Sequence, residues 1–169
     1  DTRVVAAPPV TAILDAARDV NADIVIVGTH GRSGINRLLL GSVAERLLRE
    51  CDRPVLTVRR SGHTEGGPAP RRILCPVNFS DVSLRALSWA QHLAEGFAAE
   101  LVVLHAVEQG EPPTRQLQAL CDGDSLRCAV RTVLRHGQAA EQILAATHEE
   151  KADLIVIGTE QRPLMSGMV

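Results

Sequence analysis

Ile24-Val25-Ile26-Val27-Gly28-Thr29-His30-Gly31, with Gly41-Ser42 following nine residues later, is the stretch on which the fold turns. The apolar run Ile24–Val27 lies between Asp23 and Gly28 and reads as a fully buried parallel strand. Beyond the glycines, Ser42-Val43-Ala44-Glu45-Arg46-Leu47-Leu48-Arg49 places Val43, Leu47 and Leu48 on one helical face. The order is therefore strand, glycine loop, then small residues at a helix start. A phosphate suits such an arrangement. Glycines allow close backbone approach, N–H groups point inward, and the helix N-terminus adds partial positive charge. Ser42 is expected to cap that helix or to donate its hydroxyl to a phosphate oxygen.

The complete spacing Gly-x2-Gly-x9-Gly-Ser resembles the nucleotide-binding signature of the universal stress protein family, carried by Gly28, Gly31, Gly41 and Ser42. The residues between agree in character, from Gly28-Thr29-His30-Gly31-Arg32-Ser33-Gly34 to Ile35-Asn36-Arg37-Leu38-Leu39-Leu40-Gly41-Ser42-Val43. Asp52-Arg53-Pro54-Val55-Leu56-Thr57-Val58 is similar to that family's closing strand. No Gly-Lys-Ser/Thr follows, so this is not a Walker loop. The resemblance implies a Rossmann-like α/β fold of the adenine nucleotide alpha hydrolase-like type, with ATP as ligand and Mg²⁺ as its accompanying ion.

Composition bounds the function. A chain of 169 residues with net charge −2 gives no general reason to bind nucleic acid or an anionic membrane. The aromatics are Phe79, Trp89 and Phe97 alone, too few for a base-stacking platform. The apolar runs fall far below membrane-spanning length and no secretory signal is visible, so a cytoplasmic protein is expected. The core must be built of Val, Ile, Leu and Ala. Cys51, Cys75, Cys121 and Cys128 lack the close pairs of a zinc site. Cys75, inside Ile73-Leu74-Cys75-Pro76-Val77, reads as a buried small hydrophobe, and reduced structural thiols are the expectation for all four.

An internal repeat organises the chain. With Asp23 aligned on Asp153, an offset of 130, Ile13-Leu14, Ala16, Ala22, Gly28 and Thr29 recur as Ile143-Leu144, Ala146, Ala152, Gly158 and Thr159. The copies are incomplete in opposite ways. Residues 1–60 read as the C-terminal half of a first universal stress domain, with strands at Arg3–Ala6, in the glycine-loop run and at Val55–Arg59. Residues 61–70 are a Gly/Pro-rich linker, and 71–169 a second domain lacking its last helix and strand. The chain is thus expected to be a piece of a tandem protein or a permuted or swapped assembly.

The second copy predicts strands at Ile73–Val77, Leu101–Val107, Ala129–Arg135 and Leu154–Ile157. Helices are expected over Asp81–Glu95, capped by Ser80 or Asp81, from Pro112-Pro113 through Leu126, and over Ala139–Glu149. The first of these carries Leu84, Leu87, Ala90, Gln91 and Ala94 at helical spacing. Strands alternating with helices imply right-handed crossovers and a five-stranded parallel sheet of order 3-2-1-4-5. The ligand crevice then lies at the carboxyl ends of strands 1 and 4.

The resemblance extends residue by residue. The family's loop after strand 1 commonly reads Pro-x-Asp-Phe-Ser, its aspartate holding the nucleoside; here it is Pro76-Val77-Asn78-Phe79-Ser80. Asn78 keeps hydrogen-bonding capacity but not the carboxylate that would grip two ribose hydroxyls. The strand-2 end that offers backbone groups to adenine corresponds to His105-Ala106. The second copy's own loop departs from the pattern, with Glu160 and Gln161 after Thr159 and Met168 after Gly167, and is not expected to cradle a triphosphate. The candidate nucleotide residues are therefore Val27, Gly28, Gly31, Gly41, Ser42 and Val43 on the phosphate side and Pro76, Val77, Asn78 and Ala106 on the nucleoside side. The dozen residues from Arg60 to Arg71 span at most roughly 40 Å, enough for a permuted sheet to unite the two sets.

Arg32 and Arg37 are candidate phosphate partners, and His30 and His105 candidate acid/base groups. No serine–histidine–acid set, paired carboxylates or metal-binding acid stands at the loop, and no catalytic residue is assigned. The favoured reading is a nucleotide-binding regulatory module in stress response. The alternatives are an ATP-hydrolysing enzyme of the same architecture and an interaction module with a vestigial site. Val55-Leu56-Thr57-Val58, a short apolar sheet edge, predicts a homodimer, in line with how the family pairs.

Overall fold

A computed structural model describes residues 2–28, 41–58, 69–121 and 127–159. They fall into two compact units, residues 2–28 with 41–58 and residues 69–121 with 127–159.

In the first unit, helix α1 (Pro9–Asp19) leads to strand β1 (Val25–Gly28), followed by α2 (Ser42–Glu50) and β2 (Val55–Val58). β1 and β2 pair in parallel, Val25 opposite Val55 and Gly28 opposite Val58. Pro9 opens α1, where its missing N–H costs nothing. Val25 joins Ala17 and Cys51 in the core, with Ile13, Leu14, Ala22 and Val55 packed around them. The expectation of a strand buried on both faces is corrected. Val25 is buried, but Ile26 on the opposite face is 64% exposed, because the core cluster of this unit lies on the Val25 side alone. Arg3–Ala6 is not a strand either; it takes no regular structure, and Val4 is almost wholly exposed.

The second unit contains β3 (Arg72–Pro76), α3 (Asp81–Phe97), β4 (Glu100–Val107), α4 (Thr114–Ala119), β5 (Val130–His136), α5 (Ala139–Glu149) and β6 (Leu154–Ile155). All strand pairings are parallel, in the order β5-β4-β3-β6. This is 3-2-1-4 of the expected sequence of strands. β3 is flanked by β4 and β6, so the place beside it that a permuted sheet would give to residues of the first copy is held by Leu154–Ile155.

Alternation along the strands sends residues to two covered faces. Ile73, Cys75, Leu101 and Val103 pack with Leu87, Ala90 and Ala94 of α3 and Leu117 of α4. Leu74, Val102 and Leu104 pack with Ala146 of α5 on the other face. Burial pushes the Cys75 thiol up to about 12, which makes it an inert core residue, and no disulfide joins the four cysteines. The buried face of α3 is Ser83, Ala86, Leu87, Ala90 and Ala94; Leu84 is turned to solvent and Gln91 is half-buried. α4 ends at Ala119, well short of the expected Leu126.

The repeat reappears in backbone detail. α1 and α5 begin and end 130 residues apart. Each closes with a left-handed residue, Asn21 at φ 48° and Lys151 at φ 51°. The capping bonds correspond as well. Ala22 N–H donates to Ala17 O at 2.9 Å and Ala152 N–H to Thr147 O at 2.9 Å, the long bond of a Schellman motif. Neither turn uses glycine, so this ending is held by the carbonyls it satisfies rather than by backbone permissiveness.

A charged cluster fixes the amino ends of the second sheet. Glu100 accepts from Arg131 Nε at 2.6 Å and from Arg72 Nε at 2.7 Å, while Arg131 also pairs with Glu150. Asp153 Oδ2 accepts the backbone N–H groups of Arg71 and Arg72 at 2.8 and 3.0 Å. The Arg131 hydrogen bond, with Arg72 behind it, holds the Glu100 carboxyl below the usual range against its partial burial. A carboxyl lowered on folding stabilises above its unfolded pKa, and that stability is lost as pH falls through the folded value. Glu100→Gln should therefore cost about 1 kcal/mol near pH 7, a value between exposed and buried pairs. Urea unfolding should show the gap closing as pH falls through the lowered folded value of Glu100, where the parent is protonated too. A gap that persists there would show that the charge is not responsible.

Candidate functional site

The phosphate-side candidates belong to the first unit. Val27 and Gly28 end β1 opposite Thr57 and Val58. Gly31, His30, Arg32 and Arg37 lie outside the described residues. The structure corrects one role. Gly41, not Ser42, is the N-cap of α2, in extended conformation, and no side chain among the described residues caps the helix. Ser42 is the first helical residue, so its hydroxyl is not engaged in capping. Val43 is half-buried, while Ala44 and Leu47 are the residues of α2 that reach the core. Among the described residues no side chain meets the leading N–H groups of α2, a position that suits solvent or an anion. Ser42→Ala should accordingly change stability by less than about 0.5 kcal/mol in thermal unfolding, since no cap is removed. A loss above about 1 kcal/mol would restore the capping role.

The nucleoside-side candidates belong to the second unit, at the carboxyl ends of β3 and β4. The strand leaves the sheet at Pro76 and Val77, and Val77 N–H still donates to Leu104 O at 2.8 Å. Val77 O accepts from His105 Nδ1 at 2.8 Å. Both backbone groups of Val77 thus have protein partners, and only the second lone pair of its carbonyl remains. Ala106 follows on β4, half-buried and opposite Arg135 of β5.

Asn78 is exposed, but its carboxamide oxygen is turned onto the turn. Oδ1 accepts from Ser80 Oγ at 2.6 Å and from Ser80 N–H at 3.2 Å, an Asx turn leading into α3. Ser80 is the N-cap expected from sequence, its Oγ accepting from Ser83 N–H at 3.3 Å. Ser83 returns the arrangement: its hydroxyl donates to Ser80 O at 2.9 Å and accepts from Asn78 N–H at 3.3 Å. Ser83 is buried, and these bonds satisfy it. Between them Phe79 is held at φ 62°, unusual for a bulky residue, its ring 5.0 Å from that of His105.

Gly158, at the end of the strand-4 segment, closes the same region. A Cβ built there would lie 2.5 Å from Val82 O in the first turn of α3. At Gly28, its counterpart in the repeat, a Cβ would meet nothing within 4 Å among the described residues.

Sequence reasoning named Asn78, Ser80 and the His105-Ala106 strand end. It missed Ser83 and the Phe79–His105 contact. The Ser80-x-x-Ser83 spacing after a strand was the available signal for Ser83. Nothing local announces the ring contact, which depends on the register that sets Pro76 opposite Leu104. Glu160, Gln161, Gly167 and Met168 lie outside the described residues. No group of His, Cys, Asp and Glu able to hold a metal is present among the described residues.

A parallel, helix-covered sheet whose loops gather at the strand carboxyl ends defines a doubly wound α/β protein. Comparison with known proteins then gives the family. The universal stress protein family model matches residues 1–59, 70–127 and 114–169, and the chain belongs to that family. It is 25% identical over 185 aligned positions to universal stress protein Rv2005c of Mycobacterium tuberculosis, covering 99% of this chain and 61% of that protein. Over 59 residues it is 39% identical to universal stress protein MJ0531 of Methanocaldococcus jannaschii, 35% of each chain. Among solved structures, a universal stress protein from Archaeoglobus fulgidus is similar over 92% of this chain and 55% of its own, with TM-score 0.74 and 26% identity. In each case the match spans less than two thirds of the relative's length. No helix among the described residues is long and apolar enough to cross a membrane.

Proposed function

We propose that this chain is an adenine-nucleotide-binding regulatory module, with ATP as the preferred ligand and binding rather than turnover as its role. The observation that carries the reading is the start of α2. Directly after the glycine loop, no side chain among the described residues caps the start of α2, so its leading N–H groups and the Ser42 hydroxyl are suited to an anion. On this reading Gly28, Gly31, Gly41 and Ser42 serve the phosphates in the first unit, with Val27 and Val43 shaping the strand and helix that flank them. Pro76, Val77, Asn78 and Ala106 are the second unit's own candidates to hold a nucleoside. Asn78 is the weaker grip, because its carboxamide oxygen already serves Ser80. Binding rather than turnover is proposed because the sequence sets no serine–histidine–acid group or paired carboxylates at the glycine loop.

Mass spectrometry of nucleotide carried through purification, followed by a turnover assay with Mg²⁺, tests the reading. Retained ATP with negligible hydrolysis supports it. Steady hydrolysis would move the protein to the enzymes, and an empty protein that also ignores added ATP would make it an interaction module.

The same proposal includes a homodimer through Val55–Val58, the second strand of a two-stranded sheet. Sedimentation should show a dimer or larger species. A clean monomer at tens of micromolar, with Leu56→Asp leaving the profile unchanged, would remove this part.

A further inference from the structure

We propose that the outer edge of β6, with Leu144, Ile155 and Ile157 beside it, docks a helix–strand segment of a partner chain, one built like α2 and β2 of the first unit. The repeat identifies the occupant, because each unit holds one copy of the same helix and strand. α1 with β1 corresponds to α5 with β6, down to the left-handed residues Asn21 and Lys151 and the capping bonds to Ala17 O and Thr147 O. At an offset of 130, Leu14, Val25 and Val27 become Leu144, Ile155 and Ile157. In the first unit α2 and β2 cover these positions. Val25 is buried with Cys51, Leu14 and Val55 pack against that cluster, and Val27 is half-buried opposite Thr57. In the second unit the same three positions are exposed, by 62% at Leu144, 37% at Ile155 and 52% at Ile157.

The backbone follows the same correspondence. Val25 N–H donates to Pro54 O at 2.9 Å, just ahead of β2. β6 is the outermost strand of its sheet among the described residues. Val156 N–H donates inward to Leu74 O at 2.9 Å, so strand alternation turns Ile155 N–H, the counterpart of Val25 N–H, to the outer edge. An occupant therefore adds a parallel strand there, as β2 does on β1, and lays its helix over the apolar side chains. One position of the seat differs in charge. Arg53, which leads into β2, donates to Ala22 O and Asn21 Oδ1, and the counterpart of Asn21 is the exposed Lys151. The seat thus favours a partner with an acidic side chain where Arg53 stands. The partner segment is an amphipathic helix, a turn carrying an acid and a proline, and a short apolar strand.

The probe is a labelled synthetic peptide of Gly41–Val58 bearing Arg53→Glu, titrated into the full chain without nucleotide. Fluorescence anisotropy should show saturable binding, weakened at least about 10-fold by Leu144→Asp, which sets a charge against the apolar face of the peptide. Leu144 is exposed, so the unfolding transition should not move; should it move, Ile157→Asp serves as the second variant. Ile26→Asp, an exposed apolar position of the first unit, should leave binding unchanged. Hydrogen exchange should slow at the Ile155 and Ile157 amides on peptide addition. The peptide with Arg53 unchanged should bind roughly 2- to 5-fold more weakly, the range of one exposed ion pair. No saturable binding would overturn the proposal, as would binding that survives both Leu144→Asp and Ile157→Asp, or unprotected Ile155 and Ile157 amides in the bound state. Equal affinity of the two peptides would overturn the acidic preference.

Discussion

Gly31→Val should reduce ATP affinity by more than about 100-fold while leaving the unfolding transition nearly unchanged. A phosphate loop works through backbone N–H groups that approach the ligand closely, and a branched Cβ obstructs that approach and restricts φ. Charge-assisted hydrogen bonds contribute about 1.5–3 kcal/mol each, so losing two of them already exceeds a 100-fold change. Titration calorimetry gives the affinity and thermal unfolding the stability. Two further variants locate the effect. Ser42→Ala removes a single hydroxyl and should be milder. Asn78→Asp restores a carboxylate that can take ribose hydroxyls and should tighten ATP relative to a nucleotide lacking them. If Gly31→Val binds ATP as well as the parent does, the glycine loop is a structural turn and the proposed function loses its phosphate half.

Gly158→Val should destabilise the second unit by about 3 kcal/mol or more, at the upper end of overpacking costs. The Cβ position lies 2.5 Å from Val82 O, 2.8 Å from Val82 C and 3.0 Å from Ser83 N. All three are backbone atoms in the first turn of α3, so no side chain can rotate away. Relief requires moving the helix start or the strand end, and Ser80, Ser83 and Asn78 hold that helix start in place. Gly158→Ala should show the same effect in smaller measure. Gly28→Ala, at the equivalent point of the repeat, should cost less than about 1 kcal/mol, because its Cβ meets no described atom within 4 Å. Urea unfolding of the three variants is the measurement. An unshifted midpoint for Gly158→Val would mean that α3 yields freely at its first turn.

The contrast between the two glycines shows where sequence reading stops. Aligning Gly28 with Gly158 is correct as a repeat, and the matched endings at Asn21 and Lys151 confirm that the copies share backbone geometry. Yet one glycine meets no described atom within 4 Å and the other a helix backbone. Alignment records that a residue recurs, not what stands opposite it.

Ile26 teaches the same lesson. An apolar run is a property of the chain, whereas burial on both faces needs elements on both sides, and in the first unit the core gathers on the Val25 side. The cap of α2 was misplaced by one residue because Gly41 and Ser42 are both acceptable caps, and only backbone dihedrals distinguish an extended residue from the first helical one.

What the sequence determined by itself is local and periodic. The 130-residue repeat, the parallel strands at apolar runs, the helices α2, α3 and α5, the Ser80 cap and the glycine spacing all follow from steric preference and from hydrophobic spacing along neighbouring residues. Tertiary structure decided what depends on register and facing. It set Val77 beside His105 and so fixed the proton on Nδ1. It joined Arg72, Glu100, Arg131 and Glu150 across four segments of chain. The physical reason is range. Propensity and periodicity act within a few residues, whereas these contacts link groups up to 78 positions apart, and only the packed sheet brings them within hydrogen-bonding distance.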